Sequence, residues 1–401
     1  MAHRAVLCAA LADGESRLAN LAHSQDIDAT LGAAAAFGAR VEAGESAARI
    51  TGAHPLRAPQ APVDCCESGS TLRFLIPLAA LTGRPVTFTG RGRLMQRPQS
   101  VYQELFDARG LRFEQRDGAL TAAGPLAPGA FELAGDVSSQ FVSGLLFALP
   151  LLDGESTLRL RPPVESRSYI EMTRAAQRHF GVESRWLDEN TLAVPGGQVY
   201  RPQEMAIEGD WSQAAFPAVL GALAGEVTVA GLEAGTLQGD AVILDILRRC
   251  GGRAEQTPAG FRFAKGALRG VEIDLADCPD LGPILMVLGL FCEGETVIRN
   301  AGRLRLKESD RIAAMEQELR KFGGDIRSDG GTVTVRRSAL HPPAGPLWGH
   351  NDHRVVMSLT VLAAAAGLPA EIAGAEAVAK SWPGFFAAMR QLGVEVESYA
   401  G

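Results

Sequence analysis

Residues 67–89 read ESGSTLRFLIPLAALTGRPVTFT. A serine-rich start leads into an apolar helical run, the run closes near Gly83, and 84–89 follow as a short strand-like stretch. The same phrase returns at intervals of roughly 70 residues, and such periodicity sets the architecture before any local reading does. Apolar runs close near Gly14, Gly83, Gly154, Gly225, Gly294 and Gly367. The strand-like stretches are 15–18, 84–89, 155–160, 226–229, 295–299 and 368–372. A polar loop and a second helix come next, ending at Phe37-Gly38, Arg109-Gly110, Phe180-Gly181, Cys250-Gly251, Phe322-Gly323 and Leu392-Gly393. In one second helix, Ile312, Met315, Leu319 and Phe322 share a face, which leaves Glu316, Glu318, Arg320 and Lys321 largely elsewhere.

Regular mixing of strands and helices predicts an α/β or α+β class. At 401 residues the chain exceeds one ordinary core. Three repeats per domain predict a first domain over 1–206 and a second over 207–401, with the join inside the polar segment 201–208. The chain is 46% hydrophobic with a net charge of −7, which argues against a general nucleic-acid binder. No window reaches the length of a membrane span, and the short apolar run 5–12 reads as a first helix rather than a leader. The six cysteines show neither a CxxC pair nor zinc spacing, which predicts reduced, buried thiols. No phosphate-binding P-loop, dinucleotide fingerprint or metal-ligand set is present.

Five helix starts occupy the same phase of the repeat: 67–73, 136–140, 209–213, 277–280 and 351–354. Serine and aspartate there are N-cap signals, and helix N-termini favour anions. The first repeat lacks this start, because its helix begins at or before residue 1. Cations recur beside these starts and in the loops after the strands: Arg4, Arg73, Arg97, Arg167, Lys307, Arg311, Arg354 and Lys380. In an acidic chain this predicts a small anionic ligand, since arginine forks suit carboxylate and phosphate. Lys307 beside Glu308, with Asp280 at another helix start, provides groups for acid–base work.

Taken in order, several segments resemble the EPSP synthase (3-phosphoshikimate 1-carboxyvinyltransferase) family along essentially the whole chain. They are 67–75, 91–98 (RGRLMQRP), 136–141 (DVSSQF), 165–170 (ESRSYI), 208–214 (EGDWSQA), 278–281 (CPDL), 305–311 (RLKESDR), 351–357 (NDHRVVM) and 379–386 (AKSWPGFF). The resemblance implies two similar domains, each of three βαβαββ units around a pseudo-threefold axis, with the active site in a cleft between them. It implies transfer of an enolpyruvyl group from phosphoenolpyruvate to the 5-hydroxyl of shikimate 3-phosphate, releasing phosphate, by a cytoplasmic monomer without cofactor or metal. Arg4, Ser138, Ser139, Gln140, Ser166, Tyr169, Asp280 and Lys307 match the shikimate 3-phosphate set. Gly69, Arg97, Gln140, Arg311, Arg354 and Lys380 match the phosphoenolpyruvate set. Asp280 or Lys307 matches the base and Glu308 the acid that protonates the methylene carbon, while Gly69 hints at glyphosate sensitivity.

The family also carries a Ser-Lys-Ser motif directly before the residues matching 1–4, and a strand upstream of it that returns to the second domain. Both fall outside this sequence. The expectation drawn from this is a true start further upstream, and a chain that binds ligand with impaired turnover is the alternative reading. The UDP-N-acetylglucosamine enolpyruvyl transferases share the fold, but their loop cysteine has no counterpart in 91–98.

Overall fold

The apolar run that opens each repeat folds as a helix buried on nearly every side, and this dictates where the sheets lie. The structure, a computed structural model, describes residues 1–399. The chain divides into two compact units, the first being Met1–Ile207 and the second beginning at Glu208.

The first unit opens with α1 (Ala2–Leu11), β1 (Glu15–Ala19), α2 (Gln25–Ala36), β2 (Arg40–Ala43) and β3 (Ala47–Thr51). It continues through β4 (Val63–Asp64), α3 (Gly69–Ala79), β5 (Val86–Thr89), α4 (Ser100–Ala108), β6 (Arg112–Arg116) and β7 (Ala119–Ala123). Its third repeat is β8 (Ala130–Ala134), α5 (Ser139–Ala148), β9 (Ser156–Arg161), α6 (Arg167–His179), β10 (Arg185–Trp186) and β11 (Thr191–Val194), after which β12 (Glu204–Ala206) ends the unit. Three four-stranded sheets result, ordered β12-β1-β3-β2, β4-β5-β7-β6 and β8-β9-β11-β10. In each sheet the first pair is parallel and the other two are antiparallel. A parallel pair needs a crossover connection, which α3 and α5 supply between β4 and β5 and between β8 and β9. Strands β1 and β3 alternate strictly between buried and exposed residues, so each sheet turns one face to the helices. One core joins all three repeats, from Val6 and Leu7 through Phe74, Phe88, Phe141 and Phe147 to Tyr200.

The first repeat has no strand ahead of α1 among the described residues. Its parallel position beside β1 is taken by β12, with Arg17 opposite Glu204 and Ala19 opposite Ala206. The Ile207 N–H extends the pairing by donating to the Ala19 carbonyl (2.9 Å), which draws Ile207 into the first unit and puts the join one residue beyond 206.

The second unit begins with α7 (Trp211–Ala224), β13 (Glu226–Val229), α8 (Ile243–Arg249), β14 (Arg253–Thr257) and β15 (Gly260–Ala264). Its middle repeat is β16 (Glu272–Asp274), α9 (Gly282–Gly289), β17 (Glu295–Arg299), α10 (Arg311–Lys321), β18 (Asp325–Asp329) and β19 (Thr332–Arg336). Its last is β20 (Leu347–Trp348), α11 (His353–Ala366), β21 (Ile372–Ala373) and α12 (Phe385–Gln391). Three full βαβαββ units are not seen here among the described residues. The sheet β16-β17-β19-β18 is complete, β13-β15-β14 lacks a parallel partner beside β13, and β20 pairs only with β21. The strand expected over 368–372 contributes only its end, Ile372–Ala373. A second core runs through Trp211, Phe216, Phe263, Leu285, Met315, Leu359 and Phe385.

The six glycines closing the second helices all have positive φ, from 65° at Gly110 to 105° at Gly38. They are helix-ending residues in a conformation that side chains resist. The glycines after the first helices behave differently. Only α7 and α11 end directly on one, Gly225 and Gly367. Cys8, Cys65, Cys250, Cys278 and Cys292 are buried free thiols, and Cys66 is half-buried. Among the described residues no helix is long and apolar enough to cross a membrane.

Candidate active site

In the first unit the chemistry-bearing residues sit at helix starts. Ser68 caps α3, its hydroxyl accepting from the Thr71 N–H (3.2 Å), so Gly69 opens the helix. A Cβ placed on Gly69 would lie 3.0 Å from Arg97 Nη1 and 3.4 Å from Gln140 Oε1. Gly69, Arg97 and Gln140 are therefore brought together, and glycine leaves the space among them open. Gln140 Oε1 accepts from Arg73 Nη1 (2.8 Å), and Gln140 Nε2 donates to the Ser70 hydroxyl (2.9 Å). Arg73 also donates to the Pro98 carbonyl (3.1 Å) and stands over the Phe141 ring (4.7 Å). Ser138 caps α5 by accepting from the Gln140 N–H (3.3 Å), and Ser139 is the first residue of that helix.

Arg4 and α6 form a second cluster in the same unit. Arg4 Nε donates to the Thr173 hydroxyl (2.8 Å) and Nη2 to the Tyr169 carbonyl (3.1 Å). Its guanidinium lies 5.5 Å from the Phe74 ring centroid. Arg4 is buried, and burial lowers its pKa to about 10. No carboxylate pairs with it among the described residues. A buried cation balanced only by neutral oxygens is costly, and an anion in contact with it removes that cost. Ser166 precedes α6 in a left-handed conformation (φ 56°), and Arg167 stacks 4.1 Å over Trp186. Ser166, Arg167 and Tyr169 thus belong to one turn at the start of α6, with the Tyr169 carbonyl tied to α1.

The second unit gathers charge more densely. Asp280, in a short turn before α9, accepts from Lys307 Nζ (3.1 Å), Arg311 Nη1 (3.1 Å) and Arg354 Nη2 (3.1 Å). Burial pushes its carboxyl up, but Arg354, Lys307 and Arg311 outweigh burial and hold it below the usual carboxylate range. Burial lowers the Lys307 pKa, opposed by the Asp280 charge. Arg311 is only 1% exposed and also binds Glu308 Oε2 (2.7 Å) and Asp352 Oδ2 (2.8 Å). Asp352 caps α11 through the Arg354 N–H (2.9 Å), so a single carboxylate both starts that helix and fixes Arg311. Burial raises the Asp352 pKa, and Arg311 more than reverses this. Lys380 is tied to the Asn351 carbonyl (2.6 Å). His353 is buried beside these groups, and burial lowers its pKa to about 4, which leaves it neutral.

Asp280, Lys307, Glu308, Arg311 and Arg354 thus form one hydrogen-bonded set, to which Lys380 is joined through the turn at Asn351. Asp352 and Asp240 have no role in the sequence reading. Asp352 carries only the signature of an N-cap, which hides its hold on Arg311. Asp240 has no motif around it, yet it sits in a short helical turn (Gly239–Val242) ahead of α8, is buried and accepts from the Ser212 hydroxyl. Glu318 lies off the apolar face of α10, as its spacing predicts, yet its side chain is fully buried, because it points at a polar turn rather than at solvent.

Known proteins resemble this chain along nearly its whole length. The family model for EPSP synthase (3-phosphoshikimate 1-carboxyvinyltransferase) matches residues 1–389. A 3-phosphoshikimate 1-carboxyvinyltransferase of Clostridium kluyveri is 40% identical over 99% of this chain and 94% of its own length. That of Clostridioides difficile is 34% identical over 100% of this chain and 94% of its own. Among solved structures, an EPSP synthase of Acinetobacter baumannii superposes with a TM-score of 0.79 at 25% identity, covering 99% of this chain and 94% of that one. An enolpyruvyl transferase of Streptomyces tendae shares the fold at a TM-score of 0.74 and 18% identity, over 98% and 93% of the two chains. By these matches the chain belongs to the EPSP synthase family, the 3-phosphoshikimate 1-carboxyvinyltransferases.

Proposed function

We propose that this chain transfers the carboxyvinyl group of phosphoenolpyruvate to the 5-hydroxyl of shikimate 3-phosphate and releases phosphate. The observation that carries the reading is the set in which Asp280 accepts from Lys307, Arg311 and Arg354. Asp280 is held ionised there and is a poor base. Lys307 is a partly buried amine beside Asp280 whose pKa burial lowers, and this favours it as the group that takes the hydroxyl proton, while Asp280 orients that hydroxyl. Glu308 delivers a proton to the methylene carbon. The hydroxyl oxygen bonds to the adjacent carbon, giving a tetrahedral intermediate. Arg311, Arg354, Lys380 and Arg97 offset the donor's charge, and their fixed positions favour phosphate as the carbon–oxygen bond to it breaks; the methyl group then returns a proton to Glu308, which restores the carbon–carbon double bond, and Lys307 passes the hydroxyl proton to the departing phosphate. Arg4, Ser138, Ser139, Gln140, Ser166 and Tyr169 hold shikimate 3-phosphate, and Gly69 leaves room for phosphoenolpyruvate.

Phosphate release by the purified chain tests this. Release should require both substrates, and Lys307→Met should lower kcat by about a hundredfold or more. Absence of release from folded protein, or release from phosphoenolpyruvate alone, overturns the reading. The reading also takes the chain as a cytoplasmic monomer without cofactor, metal, nucleic-acid or membrane partner. Light scattering and cell fractionation check the oligomeric state and the location.

A further inference from the structure

Glu318 is a carboxylate two turns into α10 with no exposed surface. Its Oε2 accepts from the Trp348 backbone N–H (3.0 Å) and from Lys321 Nζ (2.7 Å), and its Oε1 meets His350 Nε2 (3.0 Å). Two of these three bonds go to one turn, residues 348–352, which leads into α11. That turn is unusual. His350 (φ 52°) and Asn351 (φ 51°) are consecutive non-glycine residues in the left-handed region, which a chain adopts only when its surroundings hold it there.

The far side of the turn faces the charged set. The Asn351 carbonyl accepts from Lys380 Nζ at 2.6 Å, and the next residue, Asp352, holds Arg311. Arg311 and Glu318 stand seven residues apart on α10, hence on the same face two turns apart. Helix α10 therefore grips the turn at both ends: at 348 and 350 through Glu318, and at 352 through Arg311. Only the second grip belongs to the set already described.

We propose that Glu318 is a positioning residue. It locks the turn 348–352 so that the Asn351 carbonyl and Asp352 hold Lys380 and Arg311 where the phosphoenolpyruvate anion is bound, a role that rests on the function proposed above. A buried carboxylate in a helix with ample apolar alternatives is otherwise a costly choice. Its three donors offset that cost, and two of them are the turn itself.

The test compares Glu318→Leu with Glu318→Gln in the full chain. Glutamine keeps both grips: its Oε1 accepts from the Trp348 N–H, and its Nε2 donates to His350 in the other tautomer. Glu318→Leu should raise the KM for phosphoenolpyruvate by about tenfold or more, leave the KM for shikimate 3-phosphate within about threefold, and be rescued by glutamine. Equal change in both KM values, or none, overturns the role. If the leucine variant does not fold, His350→Ala removes one grip at a partly exposed position and should raise the same KM by about threefold or more. A readout independent of turnover is the rate at which N-hydroxysuccinimidyl acetate acetylates Lys380, followed by peptide mass. It should rise in Glu318→Leu and not in Glu318→Gln, and an unchanged rate overturns the proposal even where the wild type proves inactive. Wild-type turnover separately reports on the reaction itself.

Discussion

Asp240 shows how much one carboxyl depends on what surrounds it. Burial raises its pKa to about 6 from 3.8, and the Asp280 charge adds to this, opposed by Arg354 and the Ser212 hydroxyl. Asp352 is as deeply placed and Asp280 is partly exposed, but cationic contacts drive both the other way. The consequences for stability have opposite signs. Between 3.8 and about 6 the folded chain keeps a proton on Asp240 that the unfolded chain releases, so this group's contribution is full below 3.8 and is lost as pH rises through 6. The contribution of Asp352 is present above 3.8 and is lost on acidification. Asp240→Asn should therefore be more stable than wild type at about pH 7.5, by on the order of 2 kcal/mol, and the two should converge near pH 4. Urea midpoints at the two pH values check this, and a variant less stable at the higher pH contradicts it. None of this is legible in the sequence, where Asp240 is one acid among many. Lys307, Glu308 and Arg311 stand out there because several functional types crowd before one helix, whereas Glu318 is hidden by the amphipathic pattern around it.

Helix starts are the elements that the sequence exposes best, because capping chemistry is local. Ser68 and Gly69, Ser138 and Ser139, and Asp352 and His353 fall at the observed starts of α3, α5 and α11. The start at 277–280 is blurred. Residues 279–281 form a tight turn, and α9 proper begins at Gly282, so Asp280 projects from the turn and not from the helix. At α3 the element itself makes a prediction. Gly69 has an ordinary helical setting, so alanine is allowed by the backbone and favoured by helix propensity. Its methyl group would press on Arg97 Nη1 at 3.0 Å, a contact relieved only if the guanidinium moves. Gly69→Ala should keep the wild-type unfolding free energy or raise it by up to about 1 kcal/mol, while raising the KM for phosphoenolpyruvate by about threefold to tenfold. Glyphosate, read as a competitor of phosphoenolpyruvate, should lose inhibition at least as strongly. Unchanged KM and inhibition would remove Gly69 from the phosphoenolpyruvate set.

At the scale of the whole molecule, the repeat number and the two-unit division follow from periodicity, but strand exchange does not. The pairing of β12 with β1 joins residues 187 apart, as measured by the bond from Asn20 Nδ2 to the Ile207 carbonyl (2.6 Å). A three-residue strand with mostly exposed side chains leaves no hydrophobic alternation to read. Its physical role is to close an edge. Without it β1 would present a row of unpaired N–H and C=O groups. Around it, Arg17 N–H donates to the Gln203 carbonyl (2.9 Å) and Gln203 N–H to the Ser16 hydroxyl (3.2 Å), and Ile207 is buried against the first core. The first unit should therefore need residues 202–207 even though they lead into the second. A fragment of residues 1–207 is expected to unfold cooperatively in urea, since it holds three complete sheets and its own core. A fragment ending at 201 should lose on the order of 3 kcal/mol, from several backbone bonds and the burial of Ile207, and should self-associate through the freed edge of β1. Equal midpoints for the two fragments, with both monomeric by light scattering, would show that β12 only passes by and that the three-sheet unit closes without it.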